Sequence, residues 1–431
     1  MFKFRMLSPL VFCVLAAPVA SAEAETIYIK AGRLVDVVSG RVHEDRLIVI
    51  EGDRIVRVAA ANGADIDIDA GTGGRVIDLG DYTVLPGLID MHDHLTGDHR
   101  FHGYESLSIS VPRETLYGVL NARKTIDAGF TTVRNVGAGG YSDVALRDAI
   151  NDGEIVGPRM RVSGPALGIT GGHCDNNLLP REYELVSEGV ANGPWEVRAK
   201  VREVIKYGAD VIKFCATGGV LSKGDSVGGQ QYTFEEMQAL VDEAHQHERK
   251  VAAHAHGAEG IKTAIMAGVD SIEHASLIDA EGIKLAKEHG TFLVMDIYND
   301  TFILEHGASV GMLEESLEKE RQIGQLQRDN FRKAFEAGAR MAFGSDGAVY
   351  PHGDNGKQFA YMVEYGMTPM EAIQAATVHA AELIGWPDAV GAIEAGRYAD
   401  IIAVRGNPLE DVSLLENVGF VMKGGVVYKE E

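Results

Sequence analysis

The sequence predicts an α/β fold: a TIM (β/α)8 barrel with a small β-sandwich domain built from both chain ends. From Val84 onward, eight apolar or β-branched runs alternate with amphipathic helical stretches, which is the pattern of a parallel α/β fold. Eight βα units over roughly 260 residues also match such a barrel in size. Both flanks of this region alternate short strands with turns, so we expect the two ends to pair beside the barrel.

The predicted elements of the barrel follow one another in regular order. The strands are Val84–His92, Phe130–Val136, Met160–Gly164, Asp210–Ala216, Lys250–His256, Ser271–His274, Thr291–Ile297 and Arg340–Ser345. The helices between them include Arg113–Ala128, Trp195–Tyr207, Thr233–His247, Ala258–Ala267 and Leu317–Ala337. Glycine follows several of these helices directly, as expected at a helical C-terminus.

The predicted boundaries divide the chain into four parts. They are a signal peptide at 1–22, the first part of the β-sandwich at 23–83, the barrel at 84–385 and the second part of the β-sandwich at 386–431. Lys3 and Arg5 precede a short apolar stretch, and Ala20-Ser21-Ala22 fits a cleavage site of small residues. This pattern predicts export, with a periplasmic or secreted mature protein.

Charge and cysteine content restrict the partners. The formal net charge is −23 in 431 residues. Such a surface repels nucleic acid and anionic membranes, so we expect neither as a partner. Outside the predicted signal peptide the cysteines are Cys174 and Cys215. Two thiols are not a disulfide framework, and the sequence leaves open whether they form a bridge.

The residues that suggest chemistry fall at the carboxyl ends of the predicted strands, where barrels of this type build active sites. His92 and His94 end the first strand, and their two-residue spacing points both side chains the same way. Lys213 interrupts an otherwise apolar strand. A lysine inside a barrel is costly unless it is paired with a carboxylate or chemically altered, for example as a carbamate that bridges two cations.

Further imidazoles and a carboxylate follow on later strands. His254 and His256 end the fifth strand, His274 ends the sixth, and Asp346 follows the eighth. Strand ends of a barrel meet in a small volume, so these side chains should converge with His92 and His94. Neutral imidazoles and carboxylate-type oxygens suit zinc and chemically similar cations. The sequence therefore predicts a metal site.

The order of these residues on successive strands resembles the amidohydrolase superfamily in its binuclear form with a carboxylated lysine. The resemblance extends over nearly the whole chain after residue 22. It is greatest to prolidase-like (Xaa-Pro/Xaa-Arg) dipeptidases and ochratoxinase-type carboxypeptidases, through the segments Val251–Gly257 and Gly171–Asp175.

The resemblance implies a ligand set and a reaction. One metal ion would be held by His92, His94 and Asp346, and the other by His254 and His274. A carbamate on Lys213 would join the two ions. Both ions are divalent, and we expect them to be Zn²⁺. A hydroxide shared by the two ions would attack the amide carbonyl, and Asp346 would carry its proton to the leaving nitrogen.

The substrate-binding residues are expected on nearby loops. His173 and Tyr232 are candidates to polarise the scissile carbonyl, against loop hydrogen bonding and helix-entry packing as the alternatives. His256 would face the substrate, although it competes with His254 as a ligand. Lys223 is a candidate to bind a substrate carboxylate.

The expected function is hydrolysis of small amides with a free carboxylate: dipeptides, N-acyl amino acids or ochratoxin-like aryl amides. The alternatives are a cyclic-amide or imidazolone-type hydrolase of the same superfamily, and a non-catalytic scaffold. Lys213 favours the binuclear enzyme, and the filled ligand positions disfavour a scaffold. The resemblance also implies a homo-oligomer.

Overall fold

The computed structural model describes residues 25–61 and 74–431. The predicted signal peptide lies outside the described residues. Across the part of the chain that is described, no helix has both the length and the apolar character needed to cross a membrane.

The described chain contains fourteen strands and eleven α-helices. The strands are β1 Thr26–Asp36, β2 Arg41–Glu51, β3 Arg54–Ala60, β4 Arg75–Pro86, β5 Leu88–Asp93, β6 Phe130–Asn135, β7 Arg159–Val162, β8 Val211–Cys215, β9 Lys250–Gly257, β10 Ser271–Leu277, β11 Phe292–Val294, β12 Ile401–Arg405, β13 Phe420–Lys423 and β14 Val426–Glu430. The helices are α1 Val111–Asp127, α2 Ser142–Asn151, α3 Gly193–Lys206, α4 Phe234–Gln246, α5 Ala258–Ala267, α6 Ala280–His289, α7 Asn299–His306, α8 Glu314–Glu336, α9 Gln358–Glu364, α10 Pro369–Ala375 and α11 Val378–Ile384.

The two chain ends pair in one mixed sheet of seven strands, in the order β14-β13-β12-β4-β1-β2-β3. The junction is the antiparallel pairing of β12 with β4, in which Ile401 faces Pro86. Buried side chains from both ends, such as Ile29, Ile48 and Phe420, share one apolar cluster. The predicted association of the ends is therefore present, in the form of one sheet.

The central strands run parallel in two ladders, β5-β6-β7 and β8-β9-β10-β11. Isolated parallel bridges connect the ladder ends. Leu167 pairs with Phe214 beside β8, and Met341 pairs with Leu293 of β11. The helices follow the strands in alternation, as the hydrophobic pattern predicts. All carboxyl ends of these strands therefore open on one side of the molecule.

The structure differs from the prediction at the first and last barrel strands. Residues 84–86 of the predicted first strand belong to β4 of the mixed sheet, and β5 begins after Gly87. A side chain at Gly87 would collide with Thr131, so the chain needs glycine where the two strands meet. The predicted strand Arg340–Ser345 is reduced to an isolated bridge at Met341. The segment still bonds to both neighbours, since Met91 N–H donates to Phe343 O at 2.9 Å and Leu293 N–H donates to Arg340 O at 2.8 Å.

The helices follow the sequence pattern closely. Helix α5 has the predicted bounds, and Gly268 after it adopts a positive φ of 98°, the left-handed conformation that ends many helices. Helix α4 begins with a capping box in which the Thr233 hydroxyl accepts from Glu236 N–H and the Glu236 carboxylate accepts from Thr233 N–H. These local signals determine where the helices start and stop.

Candidate active site

A cavity of about 340 Å³ opens at the carboxyl ends of the parallel strands. Eight of the ten side chains that the sequence singles out line it, while Tyr232 and Lys223 do not. The eight are His92, His94, His173, Lys213, His254, His256, His274 and Asp346. Residues separated by more than 250 positions therefore meet in one small volume, as the strand-end argument predicts.

The ends of β5 and the segment after Met341 form one half of the site. His92 Nε2 and His94 Nε2 lie 3.3 and 3.2 Å from the same oxygen, Asp346 Oδ1. Each ring uses its other nitrogen elsewhere: His92 Nδ1 lies 3.0 Å from Glu273 Oε2, and His94 Nδ1 lies 3.2 Å from Gly137 O. These outer contacts orient both Nε2 lone pairs toward Asp346, which is the usual arrangement around metal-binding histidines.

A buried ion pair stands behind His92. Glu273 is fully buried on β10 and accepts from Arg134 Nη2 at 2.8 Å. Burial alone would raise the pKa of Glu273, but the Arg134 guanidinium and the His92 hydrogen bond together hold that pKa below its ordinary value. Glu273 therefore stays ionised and can accept a hydrogen bond from the Nδ1–H group of His92.

The ends of β9 and β10 form the other half. One ring nitrogen from each of His254, His256 and His274 lies within 4.8 Å of the other two. His256 Nδ1 contacts Ser276 Oγ at 2.8 Å, and His274 Nδ1 contacts Asp296 Oδ1 at 2.8 Å. Burial lowers the pKa of His274 to about 3, and burial also lowers the pKa values of His254 and His256. These rings are therefore neutral, the state that binds cations.

Lys213 lies on β8 between the two halves, and its side chain is buried. A salt bridge between Lys213 and a barrel carboxylate is one of the two alternatives that the sequence allows. Among the described residues, no carboxylate lies within 4.0 Å of the Lys213 amine and no hydrogen bond reaches that amine, while the backbone carbonyl of Lys213 accepts from Leu167 N–H. Burial lowers the pKa of its ammonium group to about 8. A larger neutral fraction of the amine therefore exists near neutral pH than for an ordinary lysine.

Asp346 and His274 adopt backbone conformations that non-glycine residues rarely use, with φ of 55° and 68°. Such conformations persist when surrounding contacts hold them, and they are common at functional sites. Asp346 N–H donates to His92 O at 2.7 Å. Asn299 Nδ2 donates to Asp346 Oδ2 at 3.2 Å and to Asp296 Oδ2 at 2.6 Å. The carboxylate of Asp346 is thereby fixed in direction.

His173 stacks flat on His254, with ring centroids 4.0 Å apart. Its Nδ1 lies 2.8 Å from Ser222 Oγ, and the same hydroxyl lies 2.7 Å from Asp225 Oδ1. Burial opposes ionisation of Asp225, but the hydrogen bond from Lys319 keeps the pKa of Asp225 below its ordinary value. The Ser222 hydroxyl therefore donates its hydrogen bond to the Asp225 carboxylate. His173 Nδ1–H then donates to Ser222.

This tautomer affects the predicted role of His173. Burial lowers the pKa of His173 to about 4, so the ring is neutral near pH 7 and carries a single N–H. With that proton on Nδ1, the Nε2 atom is an acceptor. Polarising a carbonyl requires a donor, so these hydrogen bonds favour contact with a substrate N–H instead.

The loop that carries His173 is attached to β8 by a disulfide bond between Cys174 and Cys215, with the two Cα atoms 5.9 Å apart. The sequence alone leaves this pairing open. Cys215 is two residues from Lys213, so the bridge links the His173 loop to the strand that carries the lysine.

We expect the double variant Cys174→Ser/Cys215→Ala to unfold at a lower temperature and to have a lower kcat. The bridge closes a loop of 41 residues, and bridges of that kind contribute about 2–4 kcal/mol to the free energy of unfolding. Scanning calorimetry and a steady-state assay of the variant measure the two effects, and thiol titration of the wild type tests the pairing. Free thiols in the oxidised, native wild type would contradict the pairing.

Tyr232 and Lys223 lie away from the cavity lining. The Tyr232 hydroxyl is buried and donates to Ala191 O at 3.0 Å, with its ring beside Phe214. The helix-entry packing that the sequence offered as the alternative describes this position, because the hydroxyl is bonded away from the cavity. Lys223 is partly buried, and its Nζ donates to Tyr104 Oη at 2.8 Å.

Replacing Tyr232 by phenylalanine should therefore affect stability more than catalysis. The change leaves Ala191 O without its donor in a buried place, which costs about 1–2 kcal/mol of unfolding free energy. Chemical denaturation measures that loss, and we expect kcat/KM to stay within about threefold of wild type. Tyr183→Phe, at an exposed position, is the matched control. A kcat loss of about a hundredfold would restore the catalytic role.

Three functional residues were missed in the sequence: Glu273, Asp296 and Asn299. Glu273 precedes His274 in a buried strand, and Asp296 lies in the predicted seventh strand. The reasoning that singled out Lys213, a charged group in an apolar strand, would have found both carboxylates. Asn299 begins α7 and has no comparable signal, because its role depends on where that helix starts.

The residues fit a metal centre. The Nε2 atom of His254 is buried with no hydrogen-bond partner in the described structure, a costly state that a cation would relieve. In two groups the candidate ligand atoms lie within 4.8 Å of one another, close enough to share a cation. One group is His254, His256 and His274, and the other is His92, His274 and Asp346. The neutral imidazoles and the carboxylate are the donor types that zinc prefers.

Comparison with known proteins agrees with this arrangement. Residues 83–428 match the Amidohydrolase family. The ochratoxinase of Aspergillus niger is 38% identical over 372 residues, which cover 80% of this chain and 75% of that protein. A crystal structure of a Xaa-Pro dipeptidase with methionine bound in its active site is 42% identical, with a TM-score of 0.87 and coverage of 94% of this chain and 100% of the other. The crystal structure of the A. niger ochratoxinase has a TM-score of 0.83 at 32% identity and covers 95% and 96% of the two chains.

Proposed function

This chain belongs to the amidohydrolase family and is a hydrolase that acts on amide bonds, and from that premise we propose that it is an exported, binuclear metal enzyme for small carboxylate-bearing amides. The substrates would be dipeptides, N-acyl amino acids or ochratoxin-like amides. The observation that carries the proposal is the meeting of six predicted histidines, Lys213 and Asp346 in one cavity. We also propose that the parallel ladders close into an eight-stranded barrel, supported by the bridges at Leu293 and Phe214.

The proposed ligands fall into two groups. His92, His94 and Asp346 would hold one divalent cation, and His254 and His274 the other, with Zn²⁺ the expected ion. A ring nitrogen of His256 lies within 4.8 Å of ring nitrogens of both His254 and His274. Because His256 uses Nδ1 to contact Ser276, its Nε2 atom is available to bind the cation or the substrate. The two cations, when bound, would supply Lewis acidity and activate water.

We propose that Lys213 carries a carbamate that joins the two groups. The neutral amine attacks carbon dioxide, a new N–C bond forms and one proton leaves to solvent. Burial lowers the pKa of this amine to about 8, and no described carboxylate pairs with it. Both features favour the reaction, since a protonated amine cannot attack. The carbamate would remove the energetic cost of a buried ammonium group on Lys213, and its two oxygens would be available as ligands.

The protein groups then divide the work of hydrolysis. Asp346, held by Asn299 at Oδ2, accepts the proton of the attacking water and returns it to the leaving nitrogen. His173 offers Nε2 as an acceptor to the amide N–H and so orients the substrate.

Export and assembly are part of the same proposal. The Cys174–Cys215 bridge supports export, because disulfides persist in oxidising compartments. Assembly into a homo-oligomer follows from the resemblance to dipeptidases. Sequencing the N-terminus of the exported protein and measuring its mass by light scattering would test the two points.

Elemental analysis together with a substrate panel tests the enzyme function. We expect two divalent metal ions per chain and hydrolysis of dipeptides or N-acyl amino acids. The panel includes cyclic amides, because the imidazolone-type alternative predicts activity on those and a single metal. Metal-free protein with full amidase activity would refute the proposal.

A further inference from the structure

A second cavity lies at the opposite ends of the parallel strands from the candidate active site. Its volume is about 660 Å³, within the range of roughly 300–1,000 Å³ that small-molecule sites occupy. Arg159 begins β7, Asp210 directly precedes β8 and Arg249 directly precedes β9, so this cavity lies at the amino ends of these strands. Of the described residues, none lines both cavities.

The basic side chains of this second cavity are all arginines. Five of them line it: Arg54, Arg147, Arg159, Arg161 and Arg249. The acidic residues of the described lining are Asp148 and Asp210. The whole chain, by contrast, has 40 lysines and arginines against 63 aspartates and glutamates. Positive charge is therefore concentrated at this site, the arginine cavity, in a molecule whose net charge is strongly negative.

Two of the arginines are held against one tyrosine. The guanidinium carbons of Arg54 and Arg159 lie 3.5 and 3.6 Å from the centre of the Tyr398 ring. Two groups at those distances would collide on one face, so they occupy opposite faces of the ring. Arg159 also donates to Asp400 at 3.0 and 3.2 Å, and Arg54 Nε lies 3.5 Å from Asp53 Oδ1. Two like charges therefore stand on either side of one ring, and a nearby anion would lower their repulsion.

The other three arginines surround the start of β8. Asp210 pairs with both Arg147 and Arg161, at 2.7 and 3.3 Å. Arg249 donates to two backbone carbonyls at 3.2 Å, and no carboxylate of the described chain lies within 4.0 Å of it. Even with Asp148, which also pairs with Arg147, two carboxylates balance three guanidinium groups. This set therefore carries an excess of positive charge.

We propose that the arginine cavity binds a small molecule with two or more oxyanion groups, either phosphates or carboxylates. Guanidinium groups bind both kinds of group through paired N–H donors, which the ammonium group of lysine does not offer. More than one anionic group is required because the arginines form two sets, one beside Tyr398 and one beside Asp210. The inference is independent of the proposed catalytic function, since the described linings of the two cavities are separate.

Trp386 provides a local reporter of binding. It lines the arginine cavity, and the guanidinium carbon of Arg161 lies 4.3 Å from its ring centre. An anion that binds Arg161 changes the charge beside the indole and so changes its emission. The other tryptophan of the chain, Trp195, is 83% exposed and lies at the start of α3. In Trp195→Phe, fluorescence therefore comes from Trp386 alone, which does not line the active-site cavity.

The titration uses purified Trp195→Phe protein with three probes: fructose 1,6-bisphosphate, tricarballylate and methyl phosphate. We expect a saturable change in emission with the bisphosphate or the tricarboxylate, and the tighter of the two identifies the oxyanion. Methyl phosphate should bind about tenfold or more weakly, because it reaches one set of arginines. Equal affinity for methyl phosphate, or no saturable change with any probe, would overturn the inference.

Variants in the same background test whether the arginines carry the binding. Arg249→Gln and Arg54→Gln remove one guanidinium group from each set, and we expect each change to weaken binding about tenfold. Arg332→Gln is the matched control, at an exposed arginine that also contacts a backbone carbonyl, and it should keep the original affinity. Thermal unfolding of each variant measures its stability. If Arg249→Gln and Arg54→Gln lower the melting temperature but keep the affinity, these arginines only stabilise the fold and the inference is wrong.

Discussion

Lys213→Ala should lose bound metal and lower kcat/KM by about a thousandfold or more. The variant removes the amine that carries the proposed carbamate, so His254 and His274 lose the anion that would link them to the other ligands. Elemental analysis and a dipeptide assay on the same preparation measure both effects.

Chemical rescue distinguishes a lost ligand from a damaged fold. A short-chain carboxylic acid fits the space that Lys213 leaves and offers two oxygens, so it should restore part of the metal and part of the activity. Lys284→Ala, at an exposed lysine of α6, serves as the control and should match wild type. Full activity of Lys213→Ala without added acid would exclude the bridging role.

Asp346→Asn should also lower kcat/KM by about a thousandfold, for a different reason. The amide keeps the shape of the side chain but has no charge for the nearby His92 and His94, and it cannot carry the proton. The His254, His256 and His274 group is unaltered, so we expect metal content to fall to roughly one ion per chain instead of none.

The control for this variant is Asp148→Asn, at an exposed carboxylate of α2 paired with Arg147. It makes the same chemical change far from the cavity and should keep wild-type kinetics. Single-turnover measurements with saturating metal show whether the chemical step itself is slow. A wild-type rate in Asp346→Asn would remove this residue from the mechanism.

Part of the architecture could be predicted because it depends on local pattern. Helix α5 has its predicted bounds, since apolar spacing and the following Gly268 define it within a few residues. The clustering of His92, His274 and Asp346 was predictable too. Parallel strands in alternation with helices place all their carboxyl ends on one side, whatever the loops do.

Contacts between distant segments could not be predicted in the same way. Cys174 and Cys215 pair because a loop folds onto β8, and the loop path carries no periodic signal. Tyr232 shares its sequence neighbourhood with the site, but its hydroxyl is bonded to Ala191. The disulfide bond and the Tyr232 hydrogen bond both depend on where these side chains point, and the geometry of the loops determines that direction.

The sequence by itself therefore determined the alternation of strands and helices, the association of the chain ends, and which side chains could ligate a cation. Tertiary structure alone decided the outer contacts, among them Glu273 behind His92, and the pairing of Cys174 with Cys215. The physical reason is range. Periodicity and helix capping act within a few residues, whereas the partner of a buried charge is chosen by packing between segments far apart in the chain.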